Sequence, residues 1–293
     1  MSLLENLILY CKDQFYEYGD CRHCNHPSGE CSGSCLNCSE EVNFHKAGGR
    51  IDYDCQKFLY YYVCRYSFKY CSEIMYALEQ IDCCKYPVYN ILSVGCGGAP
   101  DLMAFEETGL AGGKKIFYKG YDVNGYWTPI HETISQYATS TNNINMEFIN
   151  RNIFDVLAQG KPAVRHYNVI VLEYLLSHFS FDNRKYLADV LFSQLIKVVL
   201  SNRLDNSPFL FIINDIDHDS VRSLFDILRS KLHNEGYQFF LRKVHFKHRE
   251  FDYQDGSVPY PSCKNKFRIP DELKDEFNCA INCTSAQLIV EVQ

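Results

Sequence analysis

The sequence predicts an α/β protein: a seven-stranded sheet with helices on both faces, preceded by a small helical, cysteine-rich module. Three observations predict it. From Asn90 onward, short β-branched runs alternate with helical stretches, the pattern of βα units and a largely parallel sheet. The first of these strands runs directly into a glycine-rich loop. Eleven of the 15 cysteines fall within the first 84 residues, a lopsided placement that marks one cysteine-built unit. A chain of 293 residues accommodates one domain of catalytic size beside a smaller module, and we place the division at 1–86 and 87–293.

Composition narrows the function classes. Hydrophobic residues make up 46% and charged residues 22%, which excludes a disordered, collagenous or coiled-coil chain. A net charge of −7 argues against a strongly basic nucleic-acid binder and disfavours DNA as a partner. No apolar run approaches the ~20 residues of a membrane helix, and acidic Glu5 stands where a secretory leader carries basic residues. The expectation is a cytoplasmic protein with no membrane partner and no structural disulfides.

Taken in order, Leu4, Leu7, Ile8, Cys11 and Phe15 recur at helical spacing and predict a helix over 3–16. Residues 19–49 are polar, Gly-rich and Cys-rich, with no sustained period, and cannot bury enough apolar surface to hold themselves together. Asp52 or Asp54 is placed to cap a long helix carrying Phe58, Leu59, Tyr62, Val63, Tyr66, Tyr70, Ile74 and Leu78 to about Gln80. Seven strands follow, at 90–94, 116–121, 145–149, 169–172, 209–214, 239–246 and 287–292. Helices are predicted between most of them, at 100–107, 128–137, 184–200 and 220–234.

The strand Ile91–Val94 enters Gly95, Cys96, Gly97, Gly98, Ala99, Pro100 and Asp101, and a helical pattern follows. Glycines there let the chain turn sharply and let a ligand approach with no Cβ in the way, while the helix N-terminus offers free N–H groups. Pro100 occupies the place of the third glycine of a dinucleotide fingerprint, which disfavours a nicotinamide or flavin cofactor. The second strand ends on Asp122, a carboxylate able to accept both hydroxyls of a ribose. After the third strand, Asn152 offers an amide to an adenine edge and Ile153 an apolar face. Together these residues describe a nucleoside-shaped pocket.

On these residues the chain resembles the class I S-adenosylmethionine-dependent methyltransferases over roughly 88–293. The resemblance is carried by ILSVGCGGAPD, YKGYDVN, INRNIFD and YNVIVLEYLLSHF, in that order. It implies a Rossmann-like sheet of seven strands ending in a reversed hairpin strand, S-adenosylmethionine as cofactor and methyl transfer as the activity. It further implies that Gly95 and Gly97 line the methionine portion, with Cys96 between them also binding cofactor, that Asp122 binds the ribose, and that Asn152 with Ile153 contacts the adenine. Ser93 stands where the family often carries an acid, and Asn152 replaces the acid of the third motif.

A sulfonium methyl is already activated, so the protein has to align a nucleophile and, where needed, take its proton. Glu173, Tyr174 and His178 follow the fourth strand, at the carboxyl edge where open α/β sheets bind ligands, and are the candidate catalytic residues, Glu173 also touching cofactor. No NPPY-like tetrad for base amino methylation is present. Asp215, Asp217, His218 and Asp219 could form a metal or acid/base cluster, but a helix cap from Asp219 or Ser220 explains the run more simply. The long segment 250–283 is expected to lie over the site and select substrate. Lys243, Lys247, Arg249, Lys264, Lys266 and Arg268 could receive an anion or simply form a solvated face.

Cys21 and Cys24 form a CxxC and Cys35 and Cys38 another, two knuckles able to close four thiolates around zinc. Zinc would supply the folding energy that so polar a segment lacks. Cys31, Cys55, His23, His26 and His45 are spare ligands. Cys31, Cys35 and Cys38 also spell the CxxxCxxC of iron–sulfur radical enzymes, but here a helix follows and the glycine loop belongs to a separate unit. The expected function is methyl transfer to an acceptor that is a small molecule, a protein or RNA. The alternative is a non-catalytic, zinc-containing binding or regulatory protein that keeps the nucleoside pocket.

Overall fold

The computed structural model describes residues 2–19, 34–44, 53–109, 113–138, 143–160, 166–180, 184–204, 207–246 and 255–293. Its centre is an eight-stranded sheet. The strands are β1 (Val88–Val94), β2 (Lys115–Asp122), β3 (Ile144–Asn150), β4 (Val169–Glu173), β5 (Phe209–Ile216), β6 (Phe239–His245), β7 (Val258–Pro259) and β8 (Ser285–Val292), in the spatial order β3-β2-β1-β4-β5-β8-β6-β7. β8 runs antiparallel to both β5 and β6, and the remaining pairings are parallel.

Successive side chains of a strand point to opposite faces, so the apolar runs feed two cores. Ile91, Val169, Val171, Leu210 and Ile212 face one core, and Leu92, Val94, Ile170, Leu172 and Ile213 face the other. The first core is closed by α1 (Leu3–Glu17), α3 (Gln56–Leu78), α4 (Pro100–Gly109) and α5 (Thr128–Ala138). The second is closed by α6 (Ile153–Ala158), α7 (Ser177–Ser180), α8 (Lys185–Gln194) and α9 (Asp219–Asn234). The N-terminal helices therefore share a core with the sheet: Leu4, Leu7, Phe58 and Leu59 are buried in the same cluster as Ile91 and Val171.

Local chemistry sets the helix starts. Ser2 Oγ accepts the N–H of Glu5 at 3.2 Å and Glu5 Oε2 accepts the N–H of Ser2 at 2.9 Å, a reciprocal cap on α1. Glu106 of α4 accepts the N–H of Leu3 at 3.1 Å and fixes where α1 docks. The 23 residues of α3, about 35 Å long at 1.5 Å per residue, are apolar or aromatic on most sides because α1, α4 and the sheet all cover it.

Several expectations are corrected. The strand count is eight because two residues, Val258 and Pro259, add to the outer edge of β6, where proline's missing N–H costs nothing and no alternation is long enough to read. The cap of α3 is Cys55, whose sulfur accepts from Phe58 N at 3.5 Å, instead of Asp54, while Asp52 lies outside the described residues. His218, and not Asp219 or Ser220, caps α9, its Nδ1 accepting from Ser220 N at 3.2 Å. The helix expected over 184–200 ends at Gln194 and continues as a π turn and a 3₁₀ turn. A helix absent from the sequence reading, α2 (Cys35–Phe44), packs on α3. Among the described residues no helix is long and apolar enough to cross a membrane.

Candidate active site

The sheet order reverses between β1 and β4, since β2 and β3 continue on one side and β5 on the other, and a crevice forms at such a point above the carboxyl strand ends. Register brings the site together. Val94 pairs with Tyr121 on one side and Leu172 on the other, so the next residues, Gly95, Asp122 and Glu173, emerge side by side at one level. They open into a cleft of about 660 Å³. Gly95, Cys96, Gly97, Asp122, Asn152, Ile153, Glu173, Tyr174 and His178, the residues expected from sequence, all line it.

The loop after β1 turns through left-handed conformations at Gly95 (φ +68°) and Gly97 (φ +48°), which a side chain would strain. Gly95 and Cys96 both donate to Tyr121 O, at 2.8 and 3.1 Å, which ties the loop to β2. Asp122 completes the tie: Oδ2 accepts the N–H of Gly97 at 2.9 Å and Oδ1 that of Asn124 at 2.8 Å. Burial raises the Asp122 carboxyl above its usual range and these backbone donors pull it back. Asn152 caps α6, its Oδ1 accepting from Phe154 N at 3.0 Å, so the side chain keeps Nδ2 for a ligand.

His131, on α5, also secures the loop. Its Nε2–H donates to Gly97 O at 2.7 Å and its ring stacks on Phe148 at 4.1 Å. Burial pulls the imidazole down to about 4, below the ordinary 6.5. Between these values the unfolded chain binds more protons than the folded one, so stability from His131 is present above about 6.5 and is lost as pH falls toward 4. His131→Gln is therefore expected to be less stable than wild type at pH 7 and to approach it as pH falls through that window. Urea titrations at pH 7, 5.5 and 4 check this, and a constant difference would reject it. The difference between variants is the readout because Asp101 and Asp215, both pushed up to about 6 by burial, act in the opposite sense in both proteins.

The floor is acidic. Asp101, buried at the start of α4, accepts from the Tyr118 hydroxyl at 2.9 Å and leaves Oδ2 without a partner. Glu173 Oε1 accepts from Asn214 Nδ2 at 3.1 Å, while Oε2 is buried and unpartnered. Burial, reinforced by Asp101 and Glu73, pushes the Glu173 carboxyl well above the usual range.

Behind the floor lies a polar network with no counterpart in the sequence reading. Glu73 of α3 is fully buried. Its Oε2 accepts from the Tyr174 hydroxyl at 2.8 Å and Asn214 Nδ2 at 3.0 Å, and its Oε1 from Thr284 N at 2.8 Å and Ser285 N at 3.3 Å. Lys69 lies 3.7 Å away. Asn214 Oδ1 accepts from Ser285 Oγ and Gln287 Nε2, so all four hydrogen bonds of that buried amide are made. The network fixes α3 to β5 and β8 and holds Tyr174, whose φ of +52° costs on the order of 1 kcal/mol for a residue with a side chain. The available signal was an acid inside the apolar face of α3.

Other expectations fall outside the cleft. Asp215 is buried, accepting from Ser177 N at 3.0 Å and Ile216 N at 2.7 Å, and Asp217 pairs with Arg222 at 2.6 Å, so these two acids are structural. The described part of 250–283 does not cover the site. It packs on α3, through Lys266 N to Ser72 Oγ at 2.9 Å and Tyr76 hydroxyl to Lys264 O at 3.0 Å, and none of it lines the cleft. Lys243 and Lys266 pair with Asp226 at 3.0 Å and Glu79 at 2.7 Å, while Lys247 and Arg249 lie outside the described residues. Cys35 and Cys38 are buried on α2, and Cys21, Cys24, Cys31, His23, His26 and His45 lie outside the described residues. Among the described residues no group of three or more His, Cys, Asp or Glu is placed to hold a metal ion, so they add no further ligand to those two thiols.

No protein-family model matches the sequence, and no curated protein is found to match it. Solved structures do. The plantazolicin methyltransferase BpumL, in complex with SAH, is similar at TM-score 0.46 and 13% identity over 97% of this chain and 99% of that one. Phosphoethanolamine N-methyltransferase 1 from Haemonchus contortus is similar at 0.41 and 10%, over 77% and 42%. The human methyltransferase 10 domain containing protein is similar at 0.40 and 11%, over 74% and 78%.

Proposed function

We propose that the chain is an S-adenosylmethionine-dependent methyltransferase whose cofactor lies in the cleft at the reversal of the sheet. One observation carries the reading: the glycine loop and Asp122 are joined side by side, Gly97 N–H to Asp122 Oδ2 at 2.9 Å, and open together into that cleft. The residues fit the cofactor. The Gly97 and Asn124 N–H groups, one on each oxygen, orient the Asp122 carboxylate at the cleft, where it can accept the ribose hydroxyls. Asn152 Nδ2 donates to the adenine edge over Ile153. Gly95, Cys96 and Gly97 line the methionine portion.

The orphaned Asp101 Oδ2 suits the cofactor's ammonium group. Ser93, standing where the family often has an acid, is among the groups that stabilise the Asp101 carboxylate, so the missing charge is supplied from the first turn of α4. When bound, the cofactor supplies a methyl group activated on sulfur. The chain's own part is to align the acceptor and exclude water, with Glu173 and Tyr174 at the acceptor end and His178 at its edge, 6.2 Å from the Tyr53 ring.

Calorimetric titration with S-adenosylhomocysteine tests the reading. A dissociation constant on the order of micromolar is expected. Absence of binding at millimolar ligand would discard it.

A further inference from the structure

Beyond the glycine loop and Asp122, the cleft has a second wall built almost entirely of rings. Tyr53 precedes α3, and Tyr62 and Tyr70 line the cleft from α3 itself. Tyr174 lies on Tyr70 with ring centres 4.2 Å apart, Tyr53 meets Tyr62 edge-on at 5.3 Å, and Trp127 meets it at 6.3 Å. Their hydroxyls are engaged within the protein: Tyr62 with Tyr70 at 3.0 Å, Tyr174 with Glu73 at 2.8 Å. What remains for a ligand is aromatic surface.

At the foot of this wall stands Glu173, whose Oε2 is buried without a partner. The arginines that line the cleft, Arg151 and Arg184, are exposed at its rim. Lys69 sits 5.0 Å over the Tyr174 ring and 5.2 Å over that of Tyr70, showing that these faces accept an ammonium, but Glu73 lies within 3.7 Å to match its charge. Ring faces together with a carboxyl oxygen that has no partner suit a cation that donates hydrogen bonds, whose charge opposes the burial that raises the Glu173 carboxyl and favours its ionised form. A carboxylate or phosphate acceptor would meet Glu173 as a like charge, and a neutral alcohol would gain nothing from the ring faces.

We infer that the methyl acceptor is a primary or secondary amine, entering as its ammonium ion on an apolar body laid against Tyr53, Tyr62 and Tyr70, with Glu173 as the group that takes its proton. This rests on the methyl-transfer reading above. The ammonium N–H proton passes to Glu173 Oε2, freeing the nitrogen lone pair. That pair forms the new N–C bond to the methyl carbon as the C–S bond breaks, its electrons remaining on sulfur, which becomes neutral. The product is a methylated ammonium, and Glu173 returns its proton to water at the open mouth. A carboxyl raised by burial is a stronger proton acceptor than an exposed one, as the step requires.

The test is calorimetry on the full chain, first with S-adenosylhomocysteine alone. With that ligand saturating, 2-phenylethylamine, 2-phenylethanol and 3-phenylpropionate are then titrated, three probes that share a ring and differ in head group. The amine is expected to bind at least about tenfold tighter than either other probe, and the preference is expected to shrink to about threefold or less in Glu173→Gln. Equal or tighter binding of the alcohol or the carboxylate, or no binding of the amine, overturns the inference in wild type alone. A Glu173→Gln protein that folds and keeps the full preference overturns the role of Glu173. Failure of S-adenosylhomocysteine itself to bind overturns the proposed function, whereas its binding without amine preference overturns only the acceptor class.

Discussion

Asp122→Ala is expected to weaken S-adenosylhomocysteine binding by at least about 100-fold while leaving the chain folded. The carboxylate accepts Gly97 N–H and Asn124 N–H and, in the proposed complex, two ribose hydroxyls. Hydrogen bonds to a charged group contribute about 1.5–3 kcal/mol each, so loss of the ribose pair alone reaches that factor. The loop also loses the contact that aligns it with β2, although the bonds from Gly95 and Cys96 to Tyr121 O remain to hold the backbone. Asp122→Asn, which keeps an acceptor oxygen but no charge, should fall between the two. Calorimetry with a circular-dichroism check of folding decides the matter, and an alanine variant that binds like wild type would remove Asp122 from the pocket.

Glu73→Leu is expected to cost about 3–5 kcal/mol of stability, the penalty for breaking a buried, paired charge. The side chain is fully buried, and its loss strands the Tyr174 hydroxyl, one Asn214 amide hydrogen and the N–H groups of Thr284 and Ser285. Lys69 loses its counter-charge as well. Glu73→Gln retains shape and one acceptor oxygen, so its loss should be smaller. Urea unfolding at pH 7 gives both values, and a leucine variant within about 1 kcal/mol of wild type would show that the network does not hold α3 to the sheet.

The parts of this protein legible in its sequence are those that repeat a local rule. The strands through β5 were readable because each is a short run punctuated by a helical stretch, β4 and β5 apolar and buried on both faces and β2 alternating, with only the edge strand β3 left half-exposed. The glycine loop and Asp122 were readable because one follows and the other ends such a strand, and parallel register then brings them together. The residues that escaped pair across elements: Glu73 with Asn214 and Ser285, Ser72 with Lys266, and, closer in sequence, His131 with Gly97. No periodicity encodes a contact between separate elements, least of all the first three, whose partners lie more than 140 residues apart in the chain.

Two failures have more specific causes. Helix α2 lies in a stretch with no apolar stripe, and its buried cysteines, Cys35 and Cys38, gain their environment from α3 instead of from their own spacing. Loop length alone suggests a cover in 250–283, whereas the hydrogen bonds of Lys264 and Lys266 to α3 draw its described part to another flank.

Because α3 carries Tyr62 and Tyr70 of the aromatic wall and is also anchored to β5 and β8 through Glu73, that side of the cleft is held by the same bonds that secure the core. A substitution that loosens the Glu73 anchor is therefore expected to be felt in the shape of the cleft as well as in the stability of the chain.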